Sequence, residues 1–125
     1  MKTILYVDDN EEMIELVGVV LANSGYQILS QTGGQAALDF CVNAKPDLIL
    51  MDLNMPDMDG FETTRQLRKQ GFTNPIVVFS ALDSEEDREK AAAAGCDEYI
   101  VKDMEMRGLE KVIDGFIAVS GGSLI

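Results

Sequence analysis

The chain has 125 residues, enough for one domain with a real core, and 46% of them are apolar, which excludes a disordered chain. Its 22 acids against 10 bases give a formal net charge of −12, so direct binding to nucleic acid is not expected; the only basic cluster is Arg65, Arg68 and Lys69. No apolar stretch approaches the roughly 20 residues of a membrane span, and the absence of histidine rules out a Ser-His-Asp triad, a His-based zinc site or a phosphohistidine of the chain's own.

Met1-Lys2-Thr3 leads straight into a strand pattern, so no signal peptide is expected. The first apolar run, Ile4-Leu5-Tyr6-Val7, stops at Asp8-Asp9. Asn10 can cap a helix whose apolar positions Met13, Leu16, Val17, Val20 and Leu21 recur at helical spacing, and Ser24-Gly25 ends it. Tyr26 to Thr32 reads as a second strand, Gly33-Gly34 as a break, and Gln35 to Asn43 as a short helix, with Pro46 stopping helicity. Leu48-Ile49-Leu50-Met51 stops at Asp52, and the loop Asp52 to Gly60 leads to a helix over Phe61–Gln70. Gly71 and Pro75 bracket the entry to Ile76-Val77-Val78-Phe79, which stops at Ser80. Ser84 can cap a helix that opens with Glu85, Glu86 and Asp87 and runs through four alanines to Gly95. Tyr99-Ile100-Val101 stops at Lys102, and Leu109, Val112, Ile113, Phe116 and Ile117 form the last amphipathic stripe. Ser120-Gly121-Gly122-Ser123 reads as a flexible tail or linker remnant, so 1–119 is taken as the domain and 120–125 as the tail. No second domain is expected within these 125 residues. Cys41 and Cys96 match no metal or redox spacing and read as reduced packing cysteines of a cytoplasmic protein.

Short apolar runs separated by helical segments read as buried parallel strands in an α/β fold with right-handed crossovers. Ligands of such sheets sit at the carboxyl ends of the strands. The second strand ends on Ser30-Gln31-Thr32, and the other four runs stop on residues suited to one site: Asp8-Asp9, Asp52, Ser80 and Lys102. Mg²⁺ wants hard oxygen ligands and keeps several waters. Asp9 and Asp52 suit direct ligation, Asp8 ligation through water, and the backbone carbonyl of Asn54 a third protein ligand. Asp52, alone at its strand end and facing the acid pair, is the candidate nucleophile. Lys102 offers a point charge and Ser80 a hydroxyl donor to phosphoryl oxygens. Singly, each signal is weak. Asp-Asp at a strand end is often a helix cap or a solvated turn, and a lone serine or lysine there is usually turn chemistry. Asp52-Leu53-Asn54 also resembles the start of a calcium loop, but Asp57 stands where that loop needs glycine and Thr63 where it needs glutamate.

Val7-Asp8-Asp9, the run Asp52-Leu53-Asn54-Met55-Pro56-Asp57-Met58-Asp59-Gly60, Ser80-Ala81 and Lys102 together resemble a response-regulator receiver domain of the single-domain, chemotaxis-regulator kind, over nearly the whole chain. The resemblance implies a doubly wound five-stranded parallel sheet of order 2-1-3-4-5. It also implies Mg²⁺-dependent transfer of a phosphoryl group to Asp52 from a histidine kinase or histidine phosphotransfer protein, followed by slow self-catalysed hydrolysis. Asp8 and Asp9 fall on the family's acidic pair, and Ser80 and Tyr99 on its switch hydroxyl and switch aromatic. The face made by the fourth helix, fifth strand and fifth helix is then the surface for a downstream protein, or for a phosphorylation-dependent dimer. Kinase specificity is expected partly on the first helix around Glu11, Glu12 and Glu15. One position departs from the pattern: Asp103 stands where the family usually has a cis proline. A trans Lys102–Asp103 bond is expected, since a non-proline cis bond costs roughly 3 kcal/mol, and Asp103 could compete with phosphate for Lys102.

Three functions compete. A phosphoacceptor switch is favoured, with a degenerate receiver acting as a phosphorylation-independent interaction module as its alternative. A small phosphatase with an aspartate nucleophile needs a second acid two residues on, where this chain has Asn54, and a cap segment for which it has no room. A flavodoxin-type cofactor binder needs a Ser/Thr/Gly-rich first loop, where Asp8-Asp9 would repel phosphate.

Overall fold

The computed structural model describes residues 2–102 and 107–120. Asp103, with the Lys102–Asp103 peptide, and the tail residues 121–125 lie outside the described residues. Five parallel strands, β1 (Thr3–Val7), β2 (Gln27–Gln31), β3 (Leu48–Met51), β4 (Ile76–Ser80) and β5 (Glu98–Val101), form one sheet in the order β2-β1-β3-β4-β5. Between and after them run α1 (Glu11–Leu21), α2 (Gly34–Asn43), α3 (Gly60–Lys69), α4 (Glu85–Ala94) and α5 (Arg107–Ser120). The last helix thus reaches one residue past the boundary read from the sequence.

Alternate residues of each strand serve opposite layers, as the two-residue period of a strand requires. Ile4, Tyr6, Leu48, Leu50, Val77 and Phe79 pack with Val17 and Leu21 of α1 and with Leu109, Ile113 and Ile117 of α5. Leu5, Val7, Ile49, Met51 and Ile76 pack with Ala37 and Leu38 of α2 and Leu67 of α3. The central strands are buried on both faces, which is why they read as unbroken apolar runs rather than as alternation. On α4 only Ala91 and Ala94 are buried, so that helix is held by few methyl groups.

Caps fix the helix starts. Asn10 accepts the N–H groups of Glu12 and Met13, Asp59 that of Glu62, and Ser84 that of Asp87. Helix α4 ends on Gly95, whose φ of 113° favours glycine. The second strand is shorter than the sequence reading, since Tyr26 leaves the ladder and its hydroxyl donates to Asp114 of α5. Helices α2 and α3 each begin one residue early, on glycines wedged against neighbouring chain. A Cβ on Gly34 would lie 2.3 Å from Thr63 Oγ1, and one on Gly60 would lie 2.2 Å from the carbonyl oxygen of Asp52.

Candidate functional site

The chain leaves β1 toward β2 on one side, while β3 pairs with β1 on the other, so a crevice opens at the carboxyl ends of β1 and β3. Backbone bonds carry the ladder into this edge: Asp8 N donates to Gln31 O at 3.1 Å, Asp52 N to Val7 O at 2.9 Å, and Lys102 N to Ser80 O at 2.8 Å. The four polar strand ends are therefore held at fixed heights by the sheet itself. Asp8, Asp9, Asn10, Asp52, Asn54, Ser80, Ala81 and Lys102 line one cleft. Every residue assigned to the phosphoryl and metal site from the sequence is among them. Tyr99, assigned to the switch, is not.

Within the cleft the acids differ in kind. Asp8 and Asp52 are buried, at 1% and 4% exposure, whereas Asp9 is exposed. Lys102 bridges the two buried carboxylates, its Nζ 2.8 Å from Asp8 Oδ2 and 3.3 Å from Asp52 Oδ1. Asp8 Oδ2 also accepts the hydroxyl of Tyr6, and its Oδ1 accepts the N–H of Asn10 at 2.9 Å. Asp9 takes no hydrogen bond or ion pair from the described residues. Burial pushes the Asp52 carboxyl up to about 6; Lys102 pulls it down and the charge of Asp8 pushes it further up.

Ser80 is buried, and its Oγ accepts the N–H of Leu82 at 3.2 Å. Tyr99 is half-buried on β5 at the edge of the sheet; its hydroxyl donates to Leu82 O at 2.7 Å, and the Arg88 guanidinium lies 4.8 Å from its ring centroid. Ser80 and Tyr99 thus grip the backbone of one residue, Leu82, from two sides.

Sequence reasoning missed Tyr6, which reads simply as core. The available signal was the strand period: Tyr6 and Asp8 are two residues apart, so both side chains leave the chain on the same face. It missed the reach of Asp57 too. The Asp57 carboxylate accepts the N–H groups of Gly34 at 3.2 Å and Gln35 at 3.1 Å, capping α2 from 22 residues away, where Gly33 offers no side chain of its own.

Carboxylate oxygens of Asp8, Asp9 and Asp52 all lie within 4.8 Å of one another. That set of hard oxygens fits a small divalent cation that keeps part of its water shell, and Mg²⁺ in particular. The response regulator receiver domain model matches residues 4–114. The chain belongs to that family. It is 38% identical over 106 residues to the alkaline phosphatase synthesis transcriptional regulatory protein PhoP of Bacillus subtilis, a match covering 85% of this chain and 44% of that one. The chain therefore spans about half the length of the curated relatives it matches. Among solved structures, the chemotaxis protein CheY4 of Vibrio cholerae superposes with a TM-score of 0.86 at 30% identity, over 93% of this chain and 98% of that one. The response regulator TrrA of Thermotoga maritima, solved in complex with Mg²⁺-BeF, does so with 0.84 at 29% identity, over 93% and 99%. This chain is a receiver domain of two-component signal transduction, and its acidic pocket fits a phosphoacceptor site. Among the described residues no helix is long and apolar enough to cross a membrane.

Proposed function

We propose that Asp52 accepts a phosphoryl group from a phosphohistidine of a histidine kinase or a histidine phosphotransfer protein. The observation that carries this is Lys102 Nζ at 3.3 Å from Asp52 Oδ1, which sets a cation for phosphoryl oxygens beside the carboxylate that would attack. A carboxylate oxygen of Asp52 forms the P–O bond as the P–N bond to the donor imidazole breaks, and the imidazole leaves with the electron pair. Asp9, Asp52 and the carbonyl of Asn54 would hold Mg²⁺, with Asp8 reaching it through water. Bound there, Mg²⁺ supplies charge neutralisation for phosphoryl oxygens beside three carboxylates. Lys102 and the Ser80 hydroxyl bind and orient those oxygens. Beyond this transfer and the slow hydrolysis that frees the Asp52 carboxylate and releases inorganic phosphate, the chain has no further reaction to catalyse in this reading; Asn54 stands where a phosphatase would keep its general acid.

The shared grip on Leu82 supports a switch. Turning the Ser80 hydroxyl toward a phosphoryl group releases the Leu82 N–H, and the loop carrying Leu82 O, the acceptor for Tyr99, moves with it. Helix α4, anchored by alanines and by Arg88 on Tyr99, follows at low cost. The downstream protein, or a second phosphorylated copy, docks on the face of α4, β5 and α5. The kinase docks across α1, where Leu16 and Val19 are exposed beside Glu11, Glu12 and Glu15. A cytoplasmic site of action is in keeping with the free thiols of Cys41 and Cys96.

Incubation with Mg²⁺ and acetyl phosphate, read by intact mass spectrometry, tests the proposal. A labile phosphoryl adduct that requires the metal and disappears in Asp52→Asn is expected. No adduct despite measurable Mg²⁺ binding would make this a degenerate receiver that works by phosphorylation-independent contacts.

A further inference from the structure

We infer that Tyr6 is a positioning residue for phosphoryl transfer: its hydroxyl keeps Asp8 satisfied when Lys102 leaves that carboxylate for the phosphoryl group. The inference rests on the reading of Asp52 as the phosphoacceptor. Tyr6 is completely buried in β1, its ring 6.1 Å from that of Phe79 between centroids, and its hydroxyl points at Asp8 Oδ2. Nothing in the packing of that layer needs a hydroxyl, since its other strand residues are aliphatic or phenylalanine. A buried phenol is tolerated there because it has a carboxylate to donate to.

The donors on Asp8 divide the labour of the acid pair. Both of its oxygens are taken, one by Lys102 and Tyr6 and the other by the N–H of Asn10. Asp9, without such partners among the described residues, is the acid with free oxygens. Lys102 is shared between Asp8 at 2.8 Å and Asp52 at 3.3 Å, and it must loosen from Asp8 to serve a phosphoryl group on Asp52. A buried carboxylate left short of donors resists that departure. The Tyr6 hydroxyl stays on Asp8 Oδ2 throughout and so lowers the resistance.

Tyr6→Phe removes one oxygen atom and keeps the ring packed against Phe79, so the fold is retained. Two quantities are measured: the rate of adduct formation from acetyl phosphate at saturating Mg²⁺, and the affinity for Mg²⁺ alone by calorimetry, with no phosphodonor. The saturating rate should fall about tenfold, the scale of one hydrogen bond to a charged group, while the Mg²⁺ affinity stays as in the parent. In an Asp8→Ala background, which removes the acceptor, Tyr6→Phe should then change the rate no further, because the hydroxyl acts through Asp8. An unchanged rate overturns the inference and leaves the Asp52 reading intact. So does a rate that falls in step with Mg²⁺ affinity, which would make the hydroxyl a support of the metal site as a whole. A parent protein that forms no adduct overturns both.

Discussion

The ammonium of Lys102 stands 3.3 Å from Oδ1 of Asp52 although the two residues are 50 apart in sequence and lie at the ends of β5 and β3. Strand β4 lies between those strands, so the contact crosses its carboxyl end, where Ser80 sits. Before any ligand arrives, the Asp52 carboxylate, the cation and the hydroxyl already share one cleft.

Removing that cation should expose how much charge the cleft holds. Lys102→Met leaves the buried carboxylates of Asp8 and Asp52 without their counter-charge, and loss of one partner of a buried pair costs about 3 kcal/mol. Urea denaturation without metal should show a loss of that order, much of it recovered in Mg²⁺. An unchanged metal-free midpoint would contradict the pairing.

The elevated Asp52 carboxyl has a definite sign in the pH profile. Its ordinary value is 3.8, and in the folded chain it is pushed up to about 6. The folded state therefore holds this proton more tightly than the unfolded chain, and between pH 4 and 6 metal-free stability falls as pH rises. Above about pH 6 the penalty is nearly complete, on the order of 3 kcal/mol. Thermal unfolding of the parent and of Asp52→Asn should converge near pH 4 and separate by pH 7, with the variant more stable. Mg²⁺, which competes with the same proton, should bind more weakly below pH 6. Parallel curves for the two proteins across the range would refute the shift.

Helix α3 begins so close to the end of β3 that glycine is required at its first residue. A Cβ at position 60 would meet the backbone of Asp52 and Leu53 at 2.2 and 2.9 Å. Gly60→Ala should cost about 2 kcal/mol in overpacking and weaken Mg²⁺ binding as well, since the strained segment carries Asp52 and Asn54. Calorimetric Mg²⁺ titration alongside urea denaturation checks both effects. A variant that loses stability but binds Mg²⁺ like the parent would show that the loop absorbs the methyl group away from the site.

Asp57 is expected to act as a helix cap rather than as a ligand. Its carboxylate, held below its usual range chiefly by the Gln35 N–H, closes the start of α2. Asp57→Ala should cost about 1 kcal/mol, the usual scale for a lost cap, and Asp57→Asn less. Amide exchange at Gly34 and Gln35 should rise in the alanine variant; unaltered exchange there would speak against the cap.

Much of this was legible in the sequence because it is local or periodic. Burial on both faces makes strands β1, β3 and β4 read as continuous apolar runs, and where each run stops the site residue follows. Asn10 and Ser84 announce their helices because a cap acts over only three residues. The strand order came only from the family resemblance, since no periodicity says which buried strands are neighbours. What stayed hidden depends on partners distant in the chain. Arg68 ties the end of α3 to Phe72, Asn74, Gly95 and Asp97, Asp57 caps a helix it follows, and Tyr26 leaves β2 for Asp114 on α5. Tyr6 was hidden differently: an aromatic residue in a buried strand is unremarkable until the carboxylate beside its hydroxyl is located.

The most direct test of Asp52 as the phosphoacceptor locates the acyl phosphate chemically. After incubation with Mg²⁺ and acetyl phosphate, borohydride reduces an aspartyl phosphate to the corresponding alcohol with release of phosphate, turning that aspartate into homoserine. Peptide mapping then reads which residue changed. Homoserine at position 52 alone, and only when Mg²⁺ was present, is the expected result. Homoserine at position 8 or 9, or at none of the three, would contradict the assignment.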